Sequence, residues 1–202
     1  VMLIDDHATL RHGVRKLLEA YAPRYDVVAE AKDADQALSR FEAARPDVVL
    51  MDVNMRPVGG IQLMDMLHRR FPDQDPQFVV FTAEGDKQRA RASCGAGARG
   101  FVSKDSGMGE LAEAIDNVVA GRVHCAAEFH PGLWSRSRGP TPTHRQLQVL
   151  EHMAVNSQSR YIAEQMKITA ATVDRFRTQI IRKFDLEPGE LVAFAVERRW
   201  EL

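Results

Sequence analysis

Five polar residues stand directly behind short apolar runs: Asp5 and Asp6 after MLI, Asp52 after VVLM, Thr82 after FVVF, and Lys104 after FVS. Where such runs are neighbouring strands of a parallel sheet, their carboxyl ends share one edge, the edge at which open α/β sheets hold ligands. Three carboxylates, a hydroxyl and an ammonium group then converge on one small volume. Acids so close raise one another's pKa unless a cation lies among them. A donor set of carboxylate oxygens favours a hard ion such as Mg²⁺, held by one or two carboxylates together with phosphate oxygens. With the ion at Asp5 and Asp6, Asp52 is the natural nucleophile, because a carboxylate attacking phosphorus gives an acyl phosphate. Lys104 and Mg²⁺ would offset charge on the transferring phosphoryl oxygens, and Thr82 would donate a hydrogen bond to one of them. Taken singly, each residue has a plainer role: a surface lysine, a strand threonine, two helix-capping aspartates.

The elements that must position these residues follow from the apolar pattern. Strands are expected at 2–4, 27–30, 48–52, 78–82 and 100–102, with helices near 8–20, 34–45, 60–71, 86–96 and 107–121. Five βα units over residues 1–123 imply a doubly wound parallel sheet with helices on both faces.

Composition sets the class. Hydrophobic residues make up 45% of the 202 and charged residues 27%, the balance of a soluble globular protein. No apolar run approaches the roughly 18–20 residues of a membrane span. The opening VMLIDDH lacks the basic segment of a secretory leader, so neither a membrane anchor nor export is expected. Cys94 and Cys125 form no metal-type pair, and a reduced, cytoplasmic protein is the default expectation. The net charge of −1 hides a mild asymmetry, acidic before residue 124 and slightly basic after residue 140. That permits a nucleic-acid role without arguing for one.

Asp5-Asp6, Asp52, Thr82 and Lys104, with Phe101 three before the lysine, resemble the receiver domain of two-component response regulators. The stretch GARGFVSKDSGMGELAEAIDNVVAGR is similar to the NarL/LuxR-type subclass. The resemblance implies that a sensor histidine kinase phosphorylates Asp52 and that the Asn54 backbone carbonyl joins Asp5, Asp6 and Asp52 around Mg²⁺. It also implies that Thr82 and Phe101 relay the change to the face around the receiver's fourth helix, fifth strand and fifth helix. The only chemistry expected is self-phosphorylation and autodephosphorylation at Asp52. An aspartyl-phosphate phosphatase needs a second Asp two residues after its nucleophile, where this chain has Asn54. Arg56 departs from the family, standing between Met55 and Pro57 where proline usually follows the methionine directly; Gly60 matches. Glu84, two after Thr82, lies where the family tunes acyl-phosphate lifetime.

Residues 124–140 collect Pro, Gly, Ser and Arg and read as a linker, with Trp134 as an apolar exception. Residues 141–202 carry no strand pattern. Thr143 and Gln146 make a capping box that opens a helix with the stripe Leu147, Leu150, Met153, and Asn156 is expected to end it in a left-handed turn. A second helix near 159–166 buries Ile162, Ala163 and Met166, and Thr169 caps a third that runs to about Phe184. Two short helices joined by a tight turn outline a helix-turn-helix. In the third, Val173, Phe176, Ile180 and Phe184 form one buried stripe. From Ala171 to Phe184 there are four basic residues and one acidic. Cations for phosphates beside Arg, Thr and Gln for base edges suit a major-groove helix, although a solvated face explains the charge equally well.

RYIAEQMKITAATVDRFRTQIIRKF resembles the NarL/LuxR-type DNA-binding domain, whose third helix meets DNA. Carried over by position, Thr172, Arg175, Arg177, Thr178, Gln179, Arg182 and Lys183 become the DNA-binding set. Asp174 replaces a usual Lys and Phe176 a usual His. Asp174 should face outward and repel phosphate; Phe176 should be core. The last helix carries Leu191, Phe194 and Ala195 on one side, which serves either pairing of two such domains or packing on its own. The expectation is a DNA-binding transcription regulator, active on promoter double-stranded DNA as a homodimer. The alternative is a receiver-based interaction protein that has lost sequence-specific DNA binding.

Overall fold

The structure, a computed structural model, describes residues 1–21, 23–83, 87–125 and 142–197. The chain divides into two compact units, Val1–Arg136 and Ser137–Leu202. In the first, β1 (Met2–Ile4), α1 (Ala8–Ala20), β2 (Ala29–Ala31), α2 (Ala34–Ala44), β3 (Val48–Met51), α3 (Gly60–Arg70), β4 (Gln77–Thr82), α4 (Lys87–Gly95), β5 (Ala98–Ser103), α5 (Met108–Val119) and β6 (His124–Cys125) follow in order. The sheet runs β2-β1-β3-β4-β5-β6, every described pair parallel. Successive strand residues point to opposite faces, and the core divides accordingly. Leu3, Leu50, Val79, Phe81 and Val102 pack with Val14 and Leu18 of α1 and Leu111 and Ile115 of α5. Met2, Ile4, Val49, Met51, Val80 and Phe101 pack with Phe41 of α2 and Leu63, Met64 and Leu67 of α3. Both faces are covered, so the strands read as unbroken apolar runs.

Several boundaries differ from the sequence expectation by a residue or two, β5 opening at Ala98 rather than Gly100 among them. The second strand starts at Ala29, because the ladder pairs Met2 with Ala29 and leaves Val27 and Val28 before it. His124 and Cys125, expected at the start of the linker, pair with Gly100 and Phe101 as a short edge strand. The rest of that linker, with Trp134, lies outside the described residues, as does Glu84.

The second unit comprises α6 (His144–Val155), α7 (Ser159–Met166), α8 (Ala170–Phe184) and α9 (Leu191–Val196). The capping box is formed: Gln146 N–H donates to Thr143 Oγ1 at 3.2 Å and Thr143 N–H donates to Gln146 Oε1 at 3.1 Å. Asn156 does not take the left-handed turn expected of it; its backbone is extended at φ −150°. Its side chain instead accepts from Gln158 N–H at 2.9 Å and turns the chain into α7, a competing local bond open to Asn. The left-handed residue of this segment is Lys167 (φ 55°), which closes α7 before Thr169 caps α8. Leu150, Met153, Ile162, Val173, Phe176 and Ile180 form the core with Leu191, Phe194 and Ala195, so the stripe of α9 packs on its own unit.

Candidate functional site

β1 and β3 are neighbours although β2 separates them in sequence, which places a topological switch point between Asp5 and Asp52. Backbone bonds carry the sheet one residue past its strands. Asp52 N–H donates to Ile4 carbonyl at 2.9 Å, Asp5 N–H to Ala31 carbonyl at 3.1 Å, and Lys104 N–H to Thr82 carbonyl at 2.9 Å. The strand-end residues are therefore fixed by the ladder rather than by loops.

Lys104 Nζ lies 2.7 Å from Asp5 Oδ2 and 2.5 Å from Asp52 Oδ2. The two carboxylates are nearly buried, Asp5 6% and Asp52 3% exposed. Burial pulls the Lys104 ammonium toward its neutral form, but its hydrogen bonds to Asp5 and Asp52, together with their charges, outweigh that and hold its pKa above the ordinary lysine value. Asp52 Oδ1 accepts from Asn54 N–H at 2.9 Å. Thr82 is fully buried, and its Oγ1 accepts from Asn54 Nδ2 at 3.0 Å. Asp6 is exposed and faces His7, whose Nδ1 stands 2.7 Å from Asp6 Oδ1 and 3.3 Å from Asp5 Oδ1.

Ligand atoms of Asp5, Asp6, His7 and Asp52 all lie within 4.8 Å of one another. Of the three carboxylates, Asp5 and Asp52 share the ammonium of Lys104 and Asp6 does not, and the charge left over suits a divalent cation. The donor set thus fits the expected ion, with an imidazole at its rim that the sequence pattern did not point to; its proximity to the Asp5-Asp6 pair was the available signal. Phe101 is buried in β5, opposite Val80 on one side and Cys125 on the other. It lies in the core cluster that includes Ala90 of α4 as well as residues of α2 and α3.

Arg56–Pro57 is a cis peptide in the loop that follows. That loop meets α3 at Gly60, where an added Cβ would stand 2.3 Å from the Asp52 backbone oxygen. Glycine is required there by close approach, since no side chain fits.

In α8, Arg175, Thr178, Gln179 and Arg182 are exposed, while Arg177 and Lys183 are half-buried. Thr172, carried into the DNA-binding set by position, is 5% exposed, and its hydroxyl is bonded to Thr169 Oγ1 at 2.8 Å. It belongs to the helix cap. Phe176 is fully buried, as expected of core, with the Arg175 guanidinium 5.3 Å from its ring centre. Asp174 faces outward but is engaged, its Oδ1 accepting from Ser159 Oγ at 2.5 Å. Arg177 Nη1 donates to the same hydroxyl at 2.8 Å. The two charges thus tie α8 to the start of α7.

Comparison with known proteins agrees with these two units. The response regulator receiver domain model matches residues 1–116, and the model of bacterial regulatory proteins of the luxR family matches residues 142–188. The DNA-binding transcriptional activator DevR/DosR of Mycobacterium tuberculosis is 32% identical, over 98% of this chain and 94% of its own. A LuxR-family response regulator from Aurantimonas sp. is 35% identical in its crystal structure, with TM-score 0.59 over 63% of this chain and 89% of that one. The RcsB response regulator of Salmonella typhimurium shares the fold over 92% of both chains, at TM-score 0.59 and 21% identity. Among the described residues no helix is long and apolar enough to cross a membrane.

Proposed function

The chain belongs to the response regulators in which a receiver domain precedes a LuxR-type DNA-binding domain, and we propose on that premise that Asp52 is the phosphoacceptor through which a sensor histidine kinase switches its binding to promoter DNA. The observation that carries this is the Lys104 ammonium set between Asp5 and Asp52 at the switch point of the sheet. An Asp52 carboxylate oxygen forms an O–P bond while the bond from phosphorus to the donor's imidazole nitrogen breaks. Lys104, freed from Asp52 as that carboxylate becomes an acyl phosphate, follows the charge onto the phosphoryl oxygens. Thr82 donates to one of them. Asp5, Asp6, Asp52 and the Asn54 carbonyl would hold Mg²⁺, with His7 beside them; when bound, the ion neutralises charge on the phosphoryl oxygens.

The downstream step is dimerisation of the receiver. Two DNA-binding units held together engage paired half-sites and gain affinity through effective concentration. Arg175, Thr178, Gln179 and Arg182 are placed to reach DNA, with Lys183 at the edge of that face. Thr172 and Arg177 act from behind, as a cap and as the partner of Asp174.

Incubating the protein with acetyl phosphate and Mg²⁺ should add one phosphoryl group by intact mass, hydroxylamine-labile as an acyl phosphate is. Asp52→Asn should add none. Equal labelling of the two proteins would remove the assignment.

A further inference from the structure

Asn54, Thr82 and Arg89 make a chain of side-chain contacts that the phosphoryl-transfer reading leaves unused. Arg89, half-buried on α4, donates through Nη1 to Asn54 Oδ1, across 35 residues of sequence. A guanidinium has donors and no acceptor, so it dictates which end of the amide it meets. The oxygen of Asn54 faces Arg89, and its Nδ2 is turned to donate to Thr82 Oγ1 at 3.0 Å. A hydroxyl that accepts at that point directs its own proton to another acceptor. Rotated by half a turn, the same amide would present its oxygen to Thr82 and draw the hydroxyl proton to itself. The backbone of Asn54 is meanwhile bonded to Asp52 Oδ1 at 2.9 Å, which fixes the residue relative to the nucleophile.

We propose that Arg89 is a positioning residue for phosphoryl transfer: through the Asn54 side-chain amide it keeps the Thr82 hydroxyl turned to donate to the phosphoryl group on Asp52. The inference rests on the reading of Asp52 as phosphoacceptor. It assigns a role to a helix outside the cluster of strand ends, and to a side chain of Asn54 for which the family resemblance implied only a backbone carbonyl.

The test is the rate of acyl-phosphate formation on the full chain with acetyl phosphate and Mg²⁺, in the parent, Arg89→Met, Arg89→Lys, Asn54→Ala and the double variant Arg89→Met/Asn54→Ala. Arg89→Met should slow the reaction roughly tenfold, short of the hundredfold or more lost when an aimed donor is deleted outright. Arg89→Lys keeps a donor and should stay within about twofold of the parent, a rescue that tests donation rather than bulk. In the Asn54→Ala background Arg89→Met should change nothing further, because the amide through which it acts is gone. A parent-like rate in Arg89→Met, a loss in Arg89→Lys as large as in Arg89→Met, or independent losses in the double variant would each overturn the proposal. Labelling that survives in Asp52→Asn would instead remove the phosphoacceptor reading beneath it, so the two failures are distinguishable.

Discussion

Gly60 offers a sharp test of how the site is built, because its substitution adds a methyl group at the base of the phosphoacceptor strand. A Cβ at position 60 would stand 2.3 Å from the Asp52 backbone oxygen, 2.9 Å from Met51 Sδ and 2.9 Å from Val53 Cα. Ordinary contact begins at 3.4 Å, so the N-terminus of α3 and the exit of β3 must separate by about 1 Å. Two of the three obstacles are backbone, which cannot rotate aside. Overpacking of this kind costs about 1–3 kcal/mol in stability. A displacement of about 1 Å in the segment carrying Asp52 should slow its phosphorylation by up to about a hundredfold. Urea unfolding followed by circular dichroism reads the first quantity, and the initial rate of acyl-phosphate formation from acetyl phosphate reads the second. Gly13→Ala is the control: it lies exposed on α1 with nothing within 4 Å of an added Cβ, and should stabilise by about 0.5–1 kcal/mol. Parent-like stability and rate in Gly60→Ala would refute the close approach.

Further expectations follow from the charges. Lys104→Met leaves Asp5 and Asp52 buried without their ammonium; stability in EDTA should fall by about 3 kcal/mol, the low end for a broken buried pair because Lys104 keeps some solvent contact, and excess Mg²⁺ should restore part of it on thermal melting. Tyr25 is pushed up to about 12 by burial and by its hydrogen bond to Asp116, so the stability it gains by staying neutral is complete below pH 10 and lost as pH rises through about 12. Ultraviolet titration of the parent against Tyr25→Phe should assign to Tyr25 an ionisation well above an ordinary phenol, and a difference between the two centred near pH 10 would contradict it. Asp174→Ala removes a carboxylate from the exposed side of α8 that is proposed to meet DNA and should tighten DNA binding several-fold at low salt; anisotropy showing weaker binding would mean that its tie to Ser159 matters more than its charge.

The strand ends were legible in sequence because an apolar run and the polar residue that ends it are local, and the parallel ladder does the rest. Asp5, Asp52, Thr82 and Lys104 needed no knowledge of loops to be placed on one edge. β6 was not legible: two residues at a sheet edge carry no period, and His124 and Cys125 are strand only because Gly100 and Phe101 lie beside them. Asn156 was misread because two local bonds compete for it, and the one toward Gln158 wins over the left-handed turn. Thr172 entered the DNA-binding set because it matched a family position, yet it is buried and its hydroxyl meets that of Thr169, three residues before it. The Arg89–Asn54–Thr82 chain spans three separate elements, and nothing in the neighbourhood of any one of them announces the other two.

On the proposed function, phosphorylation of Asp52 strengthens DNA binding. It is read most directly by fluorescence anisotropy of the 202-residue chain on a duplex selected from random DNA, with and without acetyl phosphate and Mg²⁺, in the parent and in Asp52→Asn. Acetyl phosphate should tighten binding at least tenfold in the parent and leave Asp52→Asn unchanged. An equal gain in both proteins, or none in a parent shown by mass to be phosphorylated, would contradict it.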